Sequence, residues 1–164
     1  MILGMSVAVF TQVHVAISLI AIAAGFVVVF GMIAAKRLPL LTALFLITTA
    51  ATSVTGFMFP YHGMTPGIVI GILSLVVLLF AAVALYGGHL VGGWRATYVI
   101  TAMMALYLNF FVLIVQSFEK VPALHALAPT QKEMPFKVAQ LVTLVIFVLL
   151  ASVATKRFRL KPGV

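Results

Sequence analysis

Both carboxylate side chains of the chain, Glu119 and Glu133, fall inside one stretch, residues 116–137, the longest in the sequence that cannot lie in a membrane. Lys120, Lys132, Lys137 and His125 lie there too, with three of the seven prolines. Almost everything outside it is apolar. At 65% hydrophobic and 7% charged residues, the chain is far from the ~45–50% apolar content of a soluble domain. It reads as an integral membrane protein. Its formal charge of +8 reads as anchoring of spans at a membrane surface, because no basic stripe is interleaved with aromatics as a nucleic-acid groove would need. With no cysteine there is no disulfide, thiolate ligand or haem-attachment motif.

The apolar remainder divides into five segments, each near the ~20 residues that a helix rising ~1.5 Å per residue needs to cross ~30 Å of hydrocarbon. The spacing predicts spans over about 9–35, 39–59, 67–86, 94–117 and 136–154, with 118–135 as an outer polar link. The expected fold is all-α: a single polytopic membrane bundle of five transmembrane helices. Span one has no Lys or Arg ahead of it and exceeds a signal-peptide core, so it reads as a mature span. Ala21, Ala24, Gly25 and Gly31 give it a smooth side that lets another helix approach. In span two Thr48, Thr52 and Thr55 recur at helical spacing with Thr49, Ser53 and Gly56 one position on, so hydroxyls and small residues share one face, and in span three Gly67, Gly71 and Ser74 form a second stripe. Both stripes are expected to pack helices. Asn109, near mid-membrane, should hydrogen-bond to another helix, since an unpaired amide there costs several kcal/mol.

The connections are read from their punctuation. Residues 60–66, with a proline at each end, form a tight turn, and the glycine-rich run 87–93 is a flexible loop before Trp94 and Arg95 at the headgroups. In the outer link, residues 123–128 suit one or two helical turns. Thr130 and Glu133 have capping-box spacing, although Pro135 favours a helix start at Glu133.

Lys36, Arg37, Arg95, Lys156, Arg157, Arg159 and Lys161 collect on one side, against Lys120, Lys132 and Lys137 with both glutamates on the other. That asymmetry predicts the amino end outside and the carboxyl tail in the cytoplasm. In a bacterium this is a multi-pass protein of the inner (cytoplasmic) membrane, with the polar link facing the periplasm.

Gln12, His14, Tyr61, His62, Gln116, Glu119, His125, Gln131 and Gln140 then share the outer boundary, with Met58, Met64 and Met134 in the same layer. Nitrogen and thioether groups suit a soft or borderline metal. The candidate ligands are His14, His62 and His125, with Glu119 or a methionine completing the set, and Gln12, Gln116 and Gln140 fixing imidazole tautomers behind them. A haem or quinone is the other cofactor class such a layer would suit. Bis-histidine haem needs two facing intramembrane histidines, and only His14 comes near to qualifying. The competing reading is interfacial anchoring, since membrane boundaries gather His, Tyr and Gln that reach toward water.

The run His14-Val-Ala-Ile-Ser-Leu-Ile20, the turn Phe59-Pro-Tyr-His62 and the segment Val121-Pro-Ala-Leu-His-Ala-Leu-Ala-Pro-Thr130 together resemble a group of small five-span bacterial membrane proteins known only as hypothetical proteins. The resemblance covers nearly the whole chain, implies the five-span fold and assigns no functional residue. P-loop, HExxH and GxSxG motifs are absent from the sequence. Three functions are expected, in this order. The first is an accessory or scaffolding subunit, partnered by membrane lipids and by other membrane subunits or copies of itself. The second is a membrane-embedded binding protein or enzyme using the periplasm-side His/Gln/Met layer. The third is a small transporter, disfavoured because the midplane lacks ionisable groups and broken helices.

Overall fold

Ser6 opens the first helix by accepting a hydrogen bond from the Val9 N–H at 3.3 Å. This helix, α1 (Val7–Ile33), ends in a left-handed turn. Ala35 has φ 55°, its N–H donates to the Met32 carbonyl, and the Lys36 N–H donates to the Gly31 carbonyl at 2.8 Å. These are the paired bonds of a Schellman motif. A Cβ on Gly31 would lie 2.6 Å from Leu38 Cδ1, so the glycine makes room for the leucine that closes the turn.

The computed structural model describes residues 1–60 and 63–159. After α1 come α2 (Pro39–Phe57), α3 (Pro66–Ala82), which continues through a π-helical turn over Val83–Gly87, α4 (Gly93–Lys120), the short α5 (Pro122–Leu127) and α6 (Met134–Arg157). Pro39, Pro66 and Pro122 each begin a helix, where the missing N–H would be unpaired anyway. All helices but α5 are long and apolar enough to cross a membrane. Differences from the expected spans have local causes. Helix α4 runs on to Lys120 and stops before Pro122, whose neighbour Val121 is extended at φ −89°, ψ 114°. Helix α6 begins ahead of the expected span, with Glu133 at its N-cap and Pro135 inside the first turn.

Short connections make sequential spans antiparallel. The pairings agree: the start of α1 meets the end of α2, and the start of α4 meets the end of α6. Helix α1 packs mainly on α2, α3 lies against α4 and α2, and α4 also contacts α6 and α1. Helices α1 and α4 are central, each with 44% of its most apolar stretch buried, against 22% for α6 at the periphery.

Small residues set the closest approaches. Ala21, Ala24, Gly25 and Gly31 are all buried. A Cβ on Gly25 would meet Leu106 Cδ1 at 2.5 Å and Phe45 at 3.0 Å, so α2 and α4 both pass α1 there. Farther along, Phe26, Phe110 and Phe147 form a ring cluster with centroids 5.7–5.9 Å apart. Tyr107 joins through Phe147 at 5.6 Å. Such pairs contribute about 0.5–1.5 kcal/mol beyond their burial, and they bind α6 to the α1–α4 centre.

Several polar groups within the spans bond to neighbouring helices or to their own backbone. Asn109 donates to the Thr49 hydroxyl across the α4–α2 contact. Thr48 and Thr52 return their hydroxyls to carbonyls of their own helix, Leu44 at 2.6 Å and Thr48 at 2.9 Å. Both are half-buried, while Thr49 and Ser53, one position on, are buried.

Candidate functional site

His14 sits in the second turn of α1, half-buried, with Nδ1 at 2.8 Å from Thr55 Oγ1. The single hydroxyl proton of Thr55 is directed to the Ala51 carbonyl at 2.7 Å. When the hydroxyl proton points to that carbonyl, Thr55 Oγ1 accepts from His14 Nδ1–H and the imidazole lone pair is on Nε2. The imidazole also meets the Phe59 ring edge-on at 5.3 Å, and Phe59 meets Phe10 at 5.1 Å. His14 thus joins α1 to α2.

Other residues of this end are held separately. His125 is exposed on α5. Glu119, also exposed, accepts from Gln116 Nε2 at 3.2 Å, an i,i+3 pair on the last turn of α4. Gln12 is exposed, as are Met64 (76%) and Met134 (68%). His62 lies outside the described residues, as does Tyr61. Among the described residues no three of His, Asp and Glu gather as a metal-holding group, so His14, His125 and Glu119 do not form one together.

The polar link 118–135 is organised by α4. Gln131, at φ 57°, donates its side-chain amide to the Val115 carbonyl at 3.1 Å. Gln140 of α6 donates in the same way to the Phe111 carbonyl at 3.3 Å. Its Oε1 is buried and accepts no hydrogen bond among the described residues. Phe118 and Phe136 meet edge-on at 5.4 Å, and Ala128, just after α5, is fully buried.

Glu133 gathers the link into the start of α6. Its carboxylate accepts from the Thr130 hydroxyl at 2.8 Å, the Thr130 N–H at 3.2 Å and the Lys132 N–H at 2.9 Å. Desolvation, the largest single influence, pushes this carboxyl up, but the bonds from Thr130, from its own N–H and from Lys132 together outweigh it and hold it below the ordinary 4.5. The Thr130–Glu133 pair thus shapes the turn before the helix.

At the opposite end of the bundle, the glycine-rich stretch 87–93, expected to be a flexible loop, is tightly wound. The Gly88 N–H donates to the Val83 carbonyl at 2.8 Å, that of Leu90 to Ala84 at 3.2 Å and that of Val91 to Gly88 at 2.9 Å. Beside it stands half-buried Arg95. Its Nη1 donates to the Thr155 carbonyl at 2.7 Å and the Phe158 carbonyl at 3.0 Å, a cation placed on the unpaired carbonyls of a helix C-terminus.

Comparison with known proteins finds no matching family model, no matching curated protein and no matching solved structure. The class therefore rests on the fold itself: an all-helical protein with five helices able to cross a membrane, consistent with a multi-pass membrane protein.

Proposed function

We propose that this chain is an accessory or scaffolding subunit of a larger membrane complex, in an inner membrane, with its amino end outside and its tail in the cytoplasm. The observation that supports this reading is the use of polar side chains within the bundle. Asn109, His14, Gln140 and Arg95 each hold one helix to another, while the span hydroxyls bond mostly to their own helices. Groups spent in this way stabilise a rigid body, and its outward faces are left to carry its interactions. The peripheral helix α6 offers the largest such face, including Leu141, Val145 and Leu149, each at least half exposed.

The test is mild-detergent purification of the tagged full chain from its native membrane, followed by native mass spectrometry. A stoichiometric partner, lost when Leu141 and Leu149 are replaced by Trp, supports the subunit reading. A monomer with no partner under conditions that preserve other complexes of that membrane overturns it.

A second reading, a ligand-binding protein using the amino-end layer, is supported by the buried Gln140 Oε1, which accepts no hydrogen bond among the described residues and is available to a ligand donor. An absorption spectrum and metal analysis of the purified protein test it: a stoichiometric chromophore or metal favours this reading.

A further inference from the structure

At the end of the bundle away from both glutamates, α1, α2, α4, the π turn and the residue after α6 enclose a cavity of about 220 Å³. Its lining grades from charged to apolar. Lys36 and Arg37, both exposed, stand on it from the turn between α1 and α2. Tyr98, only 2% exposed, also lines it, beside the buried Thr42 side chain. Met32, Leu85, Leu90 and Phe158 supply apolar wall.

The surrounding backbone is unusual at the same place. The α3 helix widens into its π turn, a form frequent at functional sites. His89 and Leu90 then take φ of 47° and 60°, a region sparsely populated by residues with a Cβ. This conformation carries Leu90 into the wall, where it is 7% exposed. Across the cavity, the Schellman turn holds Lys36 and Arg37 in place, and Arg95 fixes the carbonyl of Phe158, whose ring lies 6.2 Å from that of Tyr98.

The two cations have no acidic side chain to meet. The chain contains only two acidic residues, Glu119 and Glu133, both at the other end, and Arg95 is engaged with carbonyls. A counter-ion from outside the chain is the natural partner. A guanidinium fork and an ammonium beside it suit the several acceptor oxygens of a phosphate. The hydroxyls of Tyr98 and Thr42, hydrogen-bonded to each other, lie deeper in with their remaining bonding capacity, and the apolar wall suits the first part of a hydrocarbon chain. The volume lies below the ~300–1,000 Å³ of drug-sized pockets, so it fits a headgroup and its attachment, with the remainder of the molecule outside.

We infer that this cavity binds a phosphate-bearing amphiphile, its phosphate at Lys36 and Arg37 and its apolar part against Met32, Leu85, Leu90 and Phe158. The amphiphile that fits this description is an anionic phospholipid of the surrounding membrane. The site is independent of the subunit reading above, since it uses neither α6's outward face nor the amino-end layer.

The experiment is a titration of the detergent-purified full chain with dihexanoylphosphatidylglycerol, dihexanoylphosphatidylcholine and glycerol 3-phosphate, read by native mass spectrometry. Saturable one-to-one binding of the phosphatidylglycerol over the phosphatidylcholine is expected. Glycerol 3-phosphate, which has no apolar part, should bind more weakly, and binding as tight as that of the phosphatidylglycerol would overturn the amphiphile. Removing both cations, Lys36→Gln with Arg37→Gln, should weaken binding about fivefold per charge, about 25-fold together. Leu85→Phe keeps every charge but fills the wall, and should abolish binding. If that variant does not purify as a monodisperse species, Tyr98→Phe replaces it, with an expected loss of about fivefold. Equal binding of the two phospholipids, failure of the phosphatidylglycerol to bind, or unchanged binding in the charge or wall variants overturns the assignment.

Discussion

The Asn109 amide donates to the Thr49 hydroxyl at 3.2 Å, and both side chains are buried where α4 crosses α2. An amide at this depth has no water to turn to, so its partner decides how α4 is rotated against α2. The energy of the bond is modest, because the separated helices find other partners for the same groups. A double-mutant cycle with Asn109→Leu and Thr49→Val should give a coupling of about 0.6 kcal/mol, and no more than about 1.7. Unfolding in detergent measures it. A coupling near zero would show that the bond does not set the helix rotation.

The two glycines of α3 should behave differently. A Cβ on Gly71 would lie 2.6 Å from Phe57 Cε1 and 2.9 Å from Cζ, so Gly71→Leu must displace the ring that joins α2 to α3. The expected cost is about 1–3 kcal/mol, as for other overpacked contacts. Gly67 is exposed, and Gly67→Leu should stay within about 0.5 kcal/mol. Thermal unfolding of the single variants separates them, and equal losses would contradict this packing.

Arg95 closes the carboxyl end of α6, so its removal should be felt there and not throughout the bundle. Arg95→Gln leaves the carbonyls of Thr155 and Phe158 without their charged donor, a loss of about 1.5–3 kcal/mol. Hydrogen exchange should quicken at the Phe158 amide, which bonds to Ala154. Arg95→Lys should recover part of the protection, since it keeps the charge on the carbonyls but loses the fork. Equal exchange in all three proteins would remove the capping role.

Glu133 makes the start of α6 sensitive to acid. Its carboxyl is held below the ordinary value of 4.5, so the charged form is favoured by the fold. The contribution is fully present above the unfolded carboxylate pKa and is lost as pH falls through the depressed folded value. Exchange at the Thr130 and Lys132 amides, both donors to this carboxylate, should therefore accelerate, relative to the same amides in the unfolded chain, on acidification below the ordinary 4.5. Glu133→Gln should flatten that dependence. An unchanged profile in the variant would assign the pH response to another group.

The five helices were legible because a membrane span states its length in apolar residues, and the prolines at 39, 66 and 122 mark where three helices begin. The direction of a polar stripe is a finer matter. Periodicity groups the span-two hydroxyls, but the buried surface is centred on Thr49 and Ser53, while Thr48 and Thr52 are only half-buried, and Thr48, Thr52 and Ser53 all bond to their own helix. Which of two adjacent rows faces inward depends on where Asn109 sits on α4, and that is a tertiary fact. The same holds at the two ends of the bundle. Amino-end histidines are conspicuous in a sequence with so few polar residues, yet His14 is engaged with Thr55 and His125 stands exposed on α5. The opposite cavity draws on residues as far apart as Val28 and Phe158 and on a π turn, none of which has a local signature beyond ordinary apolar and basic composition.

Orientation in the membrane should follow from charge. The connection between α1 and α2, the start of α4 and the end of α6 carry Lys36, Arg37, Arg95, Lys156, Arg157 and Arg159 at one end of the bundle, with Lys161 in the following sequence. The other end has Lys120, Lys132 and Lys137 with both glutamates. Positive charge in short connections is retained on the cytoplasmic side, and acidic residues contribute little to that choice. A cytoplasm-dependent reporter should therefore be active when fused after Val164, and a periplasm-dependent one when inserted near Ala126. Neutralising Lys36, Arg37 and Arg95 together should produce a mixed population, because it removes the charges that flank the first four spans on that side. Opposite signals in the unaltered protein would reverse the assignment, and equal signals would contradict an odd number of crossings.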